Sequence, residues 1–112
     1  MSRRKVEKPW GYEDIWAETN SYAAKIIYIS KGNRLSKQFH KRKVETIYVL
    51  SGILVNYDKD DEPSFYSEGE VLHIEPGRIH RFGATELESV TLVEVSTTEL
   101  DDVIRLEDDY GR

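Results

Sequence analysis

The stretch GNRLSKQFHKRKVETIYVLSG, residues Gly32 to Gly52, decides how this chain is read. It sets Gln38, His40 and Glu45 between two glycines, with five, one, four and six residues intervening. Because side chains alternate along a strand, Ser36, Gln38 and His40 share one face and Leu35 and Phe39 the other. If the apolar face packs on a second sheet or a second copy, the polar face looks into a lumen, as a ligand cavity requires. The following VETIYVLSG puts Glu45, Ile47 and Val49 on one face, with Ser51-Gly52 as a turn before ILVNY. Glu45 is thus expected on the strand next to that of His40.

A second glycine-bounded stretch, Gly69 to His80, reads as a strand, a tight turn at Pro76-Gly77 and a return strand that begins with His80. One histidine alone on a strand is more often a hydrogen-bonded structural residue than a ligand. The grouping alters that balance. Two imidazoles, His40 and His80, with the carboxylate of Glu45 make a divalent-metal site, and the amide oxygen of Gln38 is a weaker fourth ligand. Zinc suits these donors, as do manganese, iron, cobalt or nickel. With no cysteine in the chain, any metal is bound through N and O.

Working outward, 112 residues suit one domain, 1–112, with a polar N-terminal arm over 1–8 and a C-terminal tail over 97–112. About a third of the residues are charged, and no apolar run approaches the length of a membrane span. MSRRKVEKPWG has no apolar secretory core, so a cytoplasmic location is expected, with no membrane partner. The net charge of -5 argues against nucleic acid as a partner. A basic run between Lys31 and Lys43 suits the approach to a small anion or a solvated surface.

KPWGYEDIW reads as a first strand packed outside the barrel, and SYAAKIIYIS as a second. In the latter Lys25 shares a face with Ile27 and Ile29, which means either an edge strand or a role in a site. LESVTLVEVS closes the sheet. Ser96 with Glu99 forms a capping box ahead of a stripe of Leu100, Val103 and Ile104, a short helix. Eight or nine short strands and at most one helix indicate an all-β sandwich or small barrel. Trp10, Trp16, Leu35 and Phe39 on outward faces suggest a homodimer.

The two glycine-framed stretches resemble the two signatures of the cupins, with Gln38 where many members carry His and Glu75 where the second signature has a proline. The resemblance implies a jelly-roll β-barrel and metal ligation by Gln38, His40, Glu45 and His80. KPWGYEDIW, LSKQFHKRKVE, HRFG and the closing EVSTTELDDVIRLEDDYGR are together similar to type II phosphomannose isomerase. That family also forms the C-terminal domain of bifunctional mannose-1-phosphate guanylyltransferases. Lys43 stands where that family has an arginine, and Ile47 where it has a tryptophan; lysine keeps the charge but not the bidentate fork.

What this resemblance implies is metal-dependent interconversion of mannose 6-phosphate and fructose 6-phosphate through an enediol, the partner being a small phosphorylated sugar. The base is open among His73, a desolvated Glu and Lys25. His73 in VLHIEP faces away if His80 faces in, which favours a structural role for it. Lys25, Lys43, Arg81, Arg105 and Arg112 are the candidate phosphate anchors, unless Arg105 pairs with Glu107 or Asp108 as a clasp. The alternatives are a non-catalytic sugar or sugar-nucleotide binding cupin, a sugar-nucleotide isomerase or epimerase, and a metal-dependent oxygenase.

Overall fold

The period-two patterns become eleven strands in a computed structural model, which describes residues 3–112. In chain order they are β1 (Arg4–Lys8), β2 (Gly11–Glu18), β3 (Ala23–Ile29), β4 (Lys37–Phe39), β5 (Glu45–Ser51), β6 (Leu54–Tyr57), β7 (Pro63–Tyr66), β8 (Val71–Ile74), β9 (Arg81–Gly83), β10 (Val90–Ser96) and β11 (Ile104–Glu107). Six of them form one sheet in the order β1-β2-β3-β10-β5-β8, all antiparallel. Facing it are β7-β6-β9 and the pair β11-β4, which bridges at Arg34–Gly83 and Gln38–His80 join.

Between these layers lies an apolar core. The six-stranded sheet supplies Ile27, Ile29, Ile47, Val49, Leu72, Ile74 and Leu92, and the facing strands supply Leu54 and Phe82. Ile29, Ile47, Leu54, Ile74 and Leu92 are fully buried, each stabilising the fold by about 1.5–3 kcal/mol through the water released. Consecutive strands often lie in opposite layers, so short turns carry the chain across. Gly52 makes one such crossing between β5 and β6 at φ +85°, where a Cβ would sit 2.4 Å from the Ser89 carbonyl oxygen. At Gly11 a Cβ would meet the Tyr28 carbonyl oxygen at 1.9 Å, so only glycine lets β2 run this close to β3.

Several expectations change. Of the arm, residues Arg4–Lys8 are β1, paired along their length with β2, while Met1 and Ser2 lie outside the described residues. No helix occurs among the described residues; Ile104–Glu107 instead pair with β4. A stripe of three apolar residues is too short to sustain a helix, whereas the edge of β4 offers unpaired backbone groups. LESVTLVEVS does not close the sheet but forms β10, between β3 and β5. Trp10 and Leu35 are core residues, not outward ones, while Trp16 stays exposed and Phe39 half-buried. The homodimer expectation thereby loses two of the four residues it rested on.

Candidate metal centre and its cavity

Gln38 and His80 face each other across the junction of the smaller sheets and exchange both backbone hydrogen bonds, at 3.0 and 2.9 Å. A directly opposed pair projects its side chains to one face, and His40, two residues beyond Gln38, keeps that side. Glu45 arrives from the other layer as the first residue of β5. The expectation that it neighbours the strand of His40 is therefore corrected: residues 41–44 arch between the two layers. Residues 75–79 form a matching arch from β8 to β9. The Gly77 N–H laces the two together by donating to the His40 carbonyl at 2.7 Å.

The ligand atoms of His40, Glu45 and His80, all buried, lie within 4.8 Å of one another. Each imidazole is oriented through its far nitrogen: His40 Nδ1 sits 2.6 Å from the Asp102 carbonyl and His80 Nδ1 2.9 Å from the Arg78 carbonyl. A carbonyl only accepts, so Nδ1 carries the proton and Nε2 presents a lone pair. Both Nε2 atoms are buried without a hydrogen-bond partner, 3.5 and 3.3 Å from Glu45 Oε1. Two lone pairs aimed at an anionic oxygen repel unless a cation lies among them, so these residues fit a divalent metal. Burial opposes ionisation of Glu45, yet its carboxyl is held well below its usual range, with the Lys43 ammonium 3.0 Å away favouring the carboxylate. Gln38 accepts a 2.7 Å hydrogen bond from Ser36 Oγ through Oε1, which leaves that oxygen a second lone pair.

Beside the cluster opens a cavity of about 360 Å³ whose lining includes Gln38 and Glu45. Its charged floor is a chain of alternating sign. Lys43 Nζ lies 3.0 Å from Glu45 and 3.2 Å from Glu94; Lys25 Nζ lies 3.8 Å from Glu94 and 3.1 Å from Glu13. Lys25 is therefore not a surface lysine on an edge strand: β3 is interior and its ammonium is buried among carboxylates. Burial disfavours the Lys43 cation, yet Glu94 and Glu45 outweigh that and raise it above the ordinary lysine value. At Glu94 burial dominates and lifts the carboxyl to about 7, opposed by Lys25 and reinforced by Glu45.

Glu94 was missed at the level of sequence although a signal existed. It shares strand parity with the core residues Val90 and Leu92, and it pairs in register with Lys25. An inward carboxylate opposite an inward lysine marks a wet floor inside an apolar barrel. His73, by contrast, stands half-exposed on the outer face of β8, bonded to Thr46 and Glu75, and is removed from the candidates for the base.

The cations predicted to anchor phosphate divide. Arg81 is buried and does not line the cavity; it donates to the Leu35 carbonyl and to Asp109, each at 2.9 Å, and so clasps the tail. Arg112 lines the cavity but pairs with Asp108 at 2.7 Å. Lys25 and Lys43 are neutralised by the floor carboxylates. Arg105 lines the cavity without an acidic partner among the described residues, and so does Lys8 of β1, which sequence reasoning had left in the arm.

The family model for the mannose-6-phosphate isomerase C-terminal region matches residues 1–108. The chain belongs to that family. Xanthan biosynthesis protein XanB of Xanthomonas campestris pv. campestris is 33% identical over 97% of this chain and 24% of the relative. Mannose-1-phosphate guanylyltransferase ManC of Salmonella typhimurium is 32% identical over 97% of this chain and 23% of the relative. This chain spans about a quarter of the length of these relatives and corresponds to their cupin domain. The fold is shared more widely. The polyketide cyclase RemF of Streptomyces resistomycificus superposes with a TM-score of 0.80 at 17% identity, over 94% of this chain and 80% of that one. A Klebsiella pneumoniae protein with a double-stranded β-helix domain does so with 0.76 at 16%, over 94% and 86%. At such identities the likeness concerns the fold alone: an all-β cupin barrel. No helix of the described residues is long and apolar enough to cross a membrane.

Proposed function

We propose that this cupin domain is by itself a metal-dependent isomerase of a small phosphorylated sugar, interconverting mannose 6-phosphate and fructose 6-phosphate. The observation that carries the reading is the pair of unpartnered imidazole nitrogens converging with Glu45 at the wall of a charged cavity. A divalent ion held by His40, Glu45 and His80, with Gln38 as a further ligand, would supply the electrophile that draws electron density from the sugar carbonyl. The rest falls to the chain's own residues.

Isomerisation removes the C2 hydrogen as a proton and moves that electron pair into a C1–C2 double bond as the C1 carbonyl π pair passes to O1, which takes up a proton. O2 then gives up its proton, its electrons form the C2 carbonyl, and the double-bond pair takes a proton at C1. No oxidant is consumed. The geometry favours Glu94 for the proton transfer, because its carboxylate lines the cavity between Lys25 and Lys43 and serves no ligand role. The two ammonium groups steady the negative charge that builds on the enediol oxygens. Lys8 and Arg105 have uncompensated charge to offer a phosphate.

The test is turnover of mannose 6-phosphate by protein stripped with a chelator and reloaded with zinc, manganese, iron, cobalt or nickel, with His40→Ala prepared in parallel. Metal-restored activity that the variant lacks supports the assignment. Absence of turnover with every ion refutes it and leaves the sugar-binding alternative.

A further inference from the structure

The His40 half of the metal centre is held by the tail, chiefly by one residue 62 positions away. The Asp102 carbonyl fixes His40 Nδ1 at 2.6 Å. The Asp102 carboxylate accepts three successive backbone N–H groups, Lys41 at 3.0 Å, Arg42 at 2.7 Å and Lys43 at 2.9 Å. Those three residues are the arch that sets the distance from His40 to Glu45. Thr97 completes the grip: its N–H donates to the Val44 carbonyl and its hydroxyl accepts the Val44 N–H, both at 3.0 Å. The same segment presents Leu100, Asp101 and Val103 to the cavity.

From this we infer that Asp102 is a positioning residue of the metal centre, which selects the His40 tautomer and shapes the 41–44 arch so that Nε2 meets Glu45. Main-chain and side-chain oxygens of one residue act on two successive parts of the site. The carboxylate contacts help to anchor the carbonyl beside the imidazole, so their loss disturbs the contact with His40. Groups that orient a metal-bound histidine through its second nitrogen are commonly worth about 10–100-fold in metal affinity. The inference rests on His40, Glu45 and His80 binding a metal, and the measurements keep the two claims apart.

Zinc affinity is measured by competition with a chromophoric chelator for the parent protein, Asp102→Ala, Asp102→Asn and Asp109→Ala. Asp109 ties Arg34 and Arg81 to the tail and touches none of the candidate ligands. Its variant lowers thermal stability and leaves zinc affinity unchanged, whereas both Asp102 variants lose about 10–100-fold. In parallel, long-range nitrogen–proton NMR spectra of the metal-free parent show His40 and His80 both protonated at Nδ1. In the Asp102 variants His40 becomes a tautomeric mixture and His80, held by Arg78, does not change. Parent protein that binds none of zinc, manganese, iron, cobalt and nickel refutes the metal-site reading. Asp102 variants that bind like the parent, or an equal loss in Asp109→Ala, overturn the positioning role. So does a metal-free parent with His40 protonated at Nε2, a result independent of how any variant folds.

Discussion

The two imidazoles of the candidate metal centre offer equivalent Nε2 donors and are unequal in support. His80 is oriented by the carbonyl of Arg78, two residues before it, and its backbone is paired with Gln38. His40 is oriented by Asp102, at the other end of the chain, and its arch hangs on the same residue. One half of the site is completed by its own turn; the other waits for the tail to dock. The tail is thus part of the centre as well as a wall of the cavity.

This asymmetry predicts that deleting a ligand is symmetric and deleting a support is not. His40→Ala and His80→Ala should each lower zinc affinity by at least about 100-fold, since one ligand among four carries about 3 kcal/mol of a site worth about 10–16 kcal/mol. Direct titration of the two variants checks it. A loss confined to His40→Ala would mean that His80 is not a ligand, and the comparison would collapse.

The same contrast explains what the sequence revealed. Gln38, His40 and Glu45 were legible because strand alternation and two framing glycines act over short distances, and the second glycine stretch located His80 in the same way. Both arches looked like hairpins, since spacing alone does not say whether a turn stays within a sheet or crosses to the facing one. Asp102 was invisible: in TTELDDVIRLE it is one acid among several, and its work lies in contacts formed 59 to 62 residues away. The same holds for Arg81, whose charge alone suits a phosphate but whose contacts are with Leu35 and Asp109. Lys25 declared itself by breaking an apolar face. Glu94 did so equally, but its significance depends on the register that sets it opposite Lys25.

A smaller effect probes the local half. Gly77 adopts φ +84° in the 75–79 arch, with nothing within 4 Å of the Cβ an alanine would add. Gly77→Ala therefore meets backbone strain alone, about 1–2 kcal/mol, a fall of several degrees in Tm. Because Arg78 and the Gln38 pairing still hold His80, zinc affinity should stay within about threefold of the parent, a change of under about 0.7 kcal/mol. If affinity falls tenfold or more, the His80 side is not self-contained and the contrast between the halves softens.

The smallest effect is a titration of the clamp itself in metal-free protein. The backbone N–H groups of Arg42, Lys41 and Lys43 lower the Asp102 carboxyl from its ordinary 3.8 to about 2. A carboxyl depressed in the folded state adds stability that is fully present above its unfolded value and fades as pH falls through the folded one. The window is therefore about pH 4 down to about pH 2. Amide proton shifts of Arg42 and Lys43 should follow protonation of Asp102 with a midpoint near the lower end. The Arg78 carbonyl has no proton to gain, so the contact that orients His80 should not respond directly to that event. Midpoints near 3.8 for both arch amides would show that Asp102 does not accept from them in solution. The tail would then still border the cavity, but it would no longer hold the His40 side of the centre.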